Sequence, residues 1–156
     1  MSAVDKISSR PSPQALGSFL RIGPDGRPSL WGCKCKHCGE TLLETRRACP
    51  RCATVGSLVP TPLATRGKLF SYTIVHRSFP GIATPFISAV VALDGGGFLK
   101  GNLVGIDADP AKLPFDLPIR VEFERLAAPG NPAREILRHV FVPEAQNSAD
   151  RDGRSA

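Results

Sequence analysis

Aromatic side chains are scarce in this chain, 6% of 156 residues, with a single Trp and a single Tyr. No apolar run approaches the ~20 residues that a membrane-spanning helix needs, and Met1 to Pro13 lacks the hydrophobic centre of a secretory leader, so a cytoplasmic protein is expected. The G-x-S-x-G elbow, the G-x-x-x-x-G-K-[ST] loop and the H-E-x-x-H helix are all missing, which removes the common hydrolase, nucleotide-cleaving and metalloprotease signatures. Acids are outnumbered, 14 against 20 Lys and Arg, for a net charge of +6. A basic surface favours an anionic partner, whether nucleic acid, an acidic protein face or a phosphorylated small molecule. The length and the 42% hydrophobic content suit one or two small globular units.

Proline and glycine are plentiful, 15 of each, and they punctuate the chain. Residues 1–18 mix Ser, Pro and Gln and read as a flexible arm, with room for a short helical turn at Gln14 to Phe19. Phe19 to Ile22, Gly23-Pro24-Asp25-Gly26 and Ser29 to Gly32 read as strand, tight turn, strand. Val55 to Arg66 carries Pro60 and Pro62 and is expected to be a stiff connector holding a domain boundary. Strand signals follow at Leu69–Val75, Phe86–Leu93, Phe98–Val104, Ile119–Glu124 and Ile136–Val142. Between them, Pro110, Pro114 and Pro118 leave space for one helical turn near Asp109 to Leu113. Five short antiparallel strands after a linker suit a closed barrel, which removes aggregation-prone edges, and an OB-fold is the expected form. The division is therefore an arm (1–18), a metal ribbon with its leading hairpin (19–58), a barrel (59–143) and a disordered tail (144–156).

All five cysteines fall between residues 33 and 52. Cys35-Lys36-His37-Cys38 and Cys49-Pro50-Arg51-Cys52 are two C-x-x-C pairs, a spacing that lets two tight turns each present two thiolates to one tetrahedral ion. Zinc is the expected metal and its role structural, since four thiolates leave no open position; iron in the same cage is the redox alternative. Gly39 supplies the left-handed residue after the first pair, whereas Ala53 stands at the equivalent place after the second. Cys33 reads as a small packed side chain outside the ligand set.

Other candidate groups are weaker. Gly95-Gly96-Gly97 fits a hairpin turn better than a phosphate cradle, because no helix start follows it. His37 is expected at the surface, and His76 and His139 have no partner acid or nucleophile identifiable in the sequence, so no catalytic residue is assigned. Phe70, Phe86, Phe98 and Phe123 are expected in the barrel core, which leaves few stacking platforms for single-stranded nucleic acid. Lys34, Lys36, Arg46, Arg47 and Arg51 concentrate positive charge around the cysteines and are candidate phosphate contacts.

The run Lys68-Leu69-Phe70-Ser71-Tyr72-Thr73-Ile74-Val75-His76-Arg77, with Pro80-Gly81, Pro85-Phe86, Leu93-Asp94-Gly95-Gly96-Gly97 and Asn102-Leu103-Val104-Gly105, resembles the thiolase-associated family that couples a rubredoxin-like zinc ribbon to an OB-fold. With the ribbon, the likeness runs from Trp31 to Val142. It implies a non-catalytic accessory subunit that sits beside a thiolase or a lipid-transfer-protein-type aldolase and helps complete a coenzyme A site. In the thiolase type the partner supplies the nucleophilic cysteine and the proton-handling histidine. Family members of compact size include the small subunit of benzoylsuccinyl-CoA-type thiolases in anaerobic aromatic degradation, with steroid side-chain aldolases as the neighbouring case. Under this resemblance the anion is the phosphate end of CoA, held by Lys34, Lys36, Arg46, Arg47 and Arg51, and the 77–85 loop reaches toward the partner's acyl pocket. A nucleic-acid-binding ribbon and barrel is the competing reading.

Overall fold

The computed structural model describes residues 13–144. Most of the expected arm, and the tail from 145 onward, lie outside the described residues.

Five strands close the barrel: β6 (Arg66–Val75), β7 (Phe86–Leu93), β8 (Phe98–Leu103), β9 (Pro118–Ala128) and β10 (Asn131–Pro143). Their order around the ring is β6-β7-β8-β10-β9 and back to β6, the closed five-stranded barrel of an OB-fold. Every contact is antiparallel except β8 on β10, which is parallel with Leu103 opposite Phe141. An odd ring cannot alternate direction throughout, so the all-antiparallel expectation fails at one seam. The 104–117 connection between β8 and β9 contains the expected turn, a 3₁₀ segment at Pro110–Lys112 whose start is capped by the Asp109 carboxylate, which accepts the Ala111 N–H at 3.0 Å. Leu113 and Leu117 from that connection are buried in the barrel.

Ahead of the barrel, β2 (Leu20–Ile22) and β3 (Pro28–Cys35) form the expected hairpin. The helical turn expected at Gln14 to Phe19 is replaced by β1 (Gln14–Ala15), which pairs in parallel with Ile136 and Leu137 of β10 and is continued by the Leu16 N–H donating to the Leu137 carbonyl at 2.9 Å. β10 offers an unpaired edge there, and backbone groups that can complete a ladder outweigh weak local propensity. The stiff connector also proves to be structured. β5 (Leu58–Pro62) pairs with β3 from Trp31↔Pro62 to Cys35↔Leu58, while the two-residue β4 (Thr41–Leu42) pairs with Cys33 and Lys34. Pro60 and Pro62 are tolerated because β5 pairs only with β3: residues two apart point their backbone nitrogens to the same side, here the open edge.

One apolar cluster holds these pieces together. Leu69, Val91, Leu99, Ile119, Leu137 and Phe141 fill the barrel, and Leu20 and Leu30 of the leading hairpin belong to the same cluster. Arg125 of β9 adds a hydrogen bond to the Gly26 carbonyl in the hairpin turn, at 3.0 Å. The Gly95-Gly96-Gly97 segment is a hairpin turn, as expected, and its tip lies against Thr41 of β4.

Two of the four phenylalanines expected in the core are not there. Phe86 and Phe123 are half-buried, but Phe70 is 58% and Phe98 53% exposed. A bulge explains the first: pairing steps from Leu69↔Val91 to Ser71↔Val90, leaving Phe70 without an opposite residue and moving the inward-facing positions from Leu69 to Tyr72 and Ile74. Phe98 begins β8 on the outward side, one residue before the fully buried Leu99.

Candidate metal centre

The end of β3 delivers Cys35 into the first turn, and the second turn repeats its wiring. In the first, Gly39 N–H donates to the Cys35 carbonyl at 2.9 Å and Cys35 N–H to the Glu40 carbonyl at 2.8 Å. In the second, Ala53 N–H donates to the Cys49 carbonyl at 2.8 Å and Cys49 N–H to the Thr54 carbonyl at 3.1 Å. Both turns need a residue at positive φ: Gly39 takes +77° without strain, and Ala53 is held at +58°.

The turns bring four sulfurs together. Cys35 Sγ lies 3.7 Å from Cys52 Sγ and Cys38 Sγ 3.6 Å from Cys49 Sγ, with all four within 4.8 Å of one another. These separations are far beyond the ~2.05 Å of a disulfide. They match the spacing of about 3.8 Å that a tetrahedral ion with metal–sulfur bonds of ~2.3 Å imposes on its ligands. The donor set thus fits a metal ion, and four soft thiolates suit zinc or iron. Such an ion supplies cross-linking of the two turns.

The surroundings favour thiolates at two positions. The Ser57 hydroxyl, 3.2 Å from Cys35 Sγ, leads the lowering of the Cys35 thiol pKa against the opposing effect of burial. The Thr54 hydroxyl, 3.3 Å from Cys52 Sγ, together with the Thr54 backbone N–H brings Cys52 down to about 5. At Cys38 the Glu40 backbone N–H pulls downward, but burial and the neighbouring sulfurs of Cys49, Cys52 and Cys35 prevail and push the thiol up to about 12. Crowded sulfurs share protons when no cation is among them, and a divalent ion removes that conflict. Cys33 stands apart from the cluster; it is buried in β3 and its thiol donates to the Glu44 carbonyl at 3.1 Å.

The basic residues singled out in the sequence surround this centre without converging on one point. Lys34, Lys36, Arg46 and Arg47 are exposed, and Arg51 pairs with Glu40 at 3.2 Å, bridging the two turns. His37 and His76 are exposed. His139 is half-buried between Phe19 and Phe141, with Nε2 2.8 Å from the Lys100 carbonyl. Burial lowers its pKa, partly offset by that carbonyl. Gly101 makes room for the ring, since a Cβ there would stand 2.8 Å from His139 Nε2.

Two grooves flank the segment after β4. One, of about 410 Å³, is lined by Arg21, Trp31, Leu43, Glu44 and Thr45, with the Arg21 guanidinium 4.6 Å from the centre of the Trp31 ring. The other, of about 330 Å³, lies between β4 and the barrel and is lined by Phe19, Leu42, Leu43, Arg46 and Phe98, with Glu40 and Glu44. Sequence reasoning missed both, because each is assembled from segments far apart in the chain.

Comparison with known proteins agrees with this architecture. The model of the ChsH2 C-terminal OB-fold domain matches residues 60–124. A "DUF35 domain-containing scaffold protein" of Methanocaldococcus jannaschii is 28% identical over 120 residues, covering 75% of this chain and 83% of that protein. The "Benzoylsuccinyl-CoA thiolase subunit BbsA" of Geobacter metallireducens is 37% identical over 76 residues, 48% of this chain and 51% of the relative. Among solved structures, a chain of the "Ltp2-ChsH2(DUF35) aldolase" superposes with a TM-score of 0.58 and 27% identity, covering 75% of this chain and 86% of that one. A Cys₄ cluster leading into a five-stranded barrel is thus similar, in its barrel sequence and in its overall structure, to proteins that carry the ChsH2-type OB-fold and the DUF35 domain.

Proposed function

We propose that this chain is a zinc-containing, non-catalytic subunit of a heteromeric acyl-CoA thiolase complex, helping a catalytic partner to form its CoA-thioester site. The observation that carries the reading is its likeness, 37% identity, to a protein named as a subunit of benzoylsuccinyl-CoA thiolase. The chain's own residues contribute in two ways. Cys35, Cys38, Cys49 and Cys52 hold a structural zinc that fixes the ribbon. The exposed Lys34, Lys36, Arg46 and Arg47, with Arg51 after exchange from Glu40, offer charge-assisted contacts to the phosphates of CoA. Assembly takes place in the cytoplasm, where thiols stay reduced and available to metal. A retro-aldolase partner is the second reading, favoured by the structural match to the chain from an aldolase complex.

The test is a tagged pull-down from the native organism at moderate salt, with identification of what stays bound and metal analysis of the eluate. A stoichiometric thiolase-fold or aldolase subunit and one zinc per chain are expected, with thiolysis or retro-aldol cleavage by the complex distinguishing the two readings. Turnover by the isolated chain would overturn the accessory role.

A further inference from the structure

Strands β6, β7 and β8 line up in rows across the outside of the barrel. Lys68, Ala92 and Phe98 share one row and Ser71, Val90 and Lys100 the next. Phe70, the extra residue of the bulge, packs edge to face on Phe98 with ring centroids 4.9 Å apart, and both rings stay more than half exposed. Val90 and Ala92 are half-buried on the strand between. Phe98 is also a wall of the 330 Å³ groove shared with Phe19, Leu42, Leu43 and Arg46. The result is a continuous apolar strip running from the barrel wall into the crevice beside the ribbon.

A bulge interrupts a ladder, and such interruptions commonly re-aim a side chain; here the side chain is a large aromatic sent into water, where it contributes little to folding. Basic residues flank the two rings, and the adjoining groove is mixed, with Glu40 and Glu44 beside Arg46. Lys68, Lys100 and Arg46 are exposed, and none of them has an ion-pair partner among the described residues. Protein interfaces concentrate their binding energy in aromatic anchors of this kind, with complementary charge at the rim setting orientation. One feature favours a protein over a nucleic-acid strand: the edge-to-face rings form one apolar wedge rather than parallel platforms for bases.

We propose that Phe70, Phe98 and the adjoining groove are the surface that docks on the catalytic partner subunit, whose complementary face places an apolar side chain in the groove and carboxylates opposite Lys68 and Lys100. The proposal rests on the accessory-subunit reading above and assigns it a surface.

The test uses the full chain and the purified thiolase-fold or aldolase subunit recovered with it. Phe70→Ser with Phe98→Ser is expected to weaken the complex at least about 100-fold, the effect of two interface aromatics, with zinc content and melting temperature retained. A photoreactive phenylalanine at position 98 is expected to cross-link to the partner. A complex of unchanged affinity without a cross-link from position 98 would overturn the assigned surface and leave the accessory role standing. Absence of any thiolase-fold or aldolase subunit bound to the unaltered chain would overturn both. Binding of a 20-nucleotide single strand, or self-association, that disappears in the double variant would replace the partner surface with that other occupant.

Discussion

The ribbon and the barrel are both built of short strands, yet different forces hold them. From residue 31 to residue 62 the buried side chains are those of Cys33, Cys35, Thr41, Cys49 and Ser57. The barrel buries Leu69, Val91, Leu99, Ile119, Leu137 and Phe141. A ribbon with so little apolar burial is expected to depend on an ion held by its four cysteines, whereas the barrel stands on the hydrophobic effect. The join is made by Leu20 and Leu30, which lie in the barrel's cluster while β3 runs on into the first cysteine turn. The comparison teaches that the cysteine turns are continuous, through β3, with a strand that packs on the barrel.

Removing the metal is the strongest way to break the comparison. A structural zinc contributes on the order of 10 kcal/mol at neutral pH. Chelation, or Cys49→Ser, is expected to abolish hydrogen-exchange protection across residues 31–62 while β6 to β10 keep theirs. Loss of protection in both at once would make the two regions a single cooperative unit. The reverse cut is Phe141→Ala, which empties the centre of the barrel and is expected to cost about 3–5 kcal/mol in denaturant unfolding with the zinc stoichiometry of the folded chain unchanged. Leu30→Ala, at the join, is expected to cost about 2–5 kcal/mol and to weaken metal retention as well, because the same strand carries Cys35.

Smaller effects sharpen the picture. The pKa of His139 is lower in the folded chain than in the unfolded one, so the unfolded chain takes up the proton first as pH falls. Its contribution to stability is full above about pH 6.5, the ordinary histidine value, and is lost as pH drops below that toward the folded value. His139→Gln is expected to flatten melting temperature between about pH 5 and pH 7 relative to the unaltered chain. An unchanged slope would place the sensitivity elsewhere. Smallest of all, Ala53→Gly relieves the positive φ of the second turn but adds freedom to the unfolded chain, for a net gain of at most about 1 kcal/mol. A slower loss of zinc to a chelator would register it.

The convergence of Cys35, Cys38, Cys49 and Cys52 was legible because a C-x-x-C turn is a local object, closed by hydrogen bonds within six residues. The five barrel strands were legible for a related reason: alternation and near-continuous apolar runs at Phe86–Leu93 and Ile119–Glu124 reflect burial that any OB-type ring demands. Pro60 and Pro62 misled, because a proline excludes only a central ladder position and β5 lies at an edge.

From the residues alone came the two C-x-x-C pairs and the five barrel strands, expected as all antiparallel. Only the tertiary structure decided that β1 completes the edge of β10, that Leu20 and Leu30 join the barrel core, and that Phe70 and Phe98 face water. Those outcomes depend on which distant strand supplies a free backbone edge and on a one-residue register slip. Side-chain identity encodes neither, since both follow from how the whole ring closes.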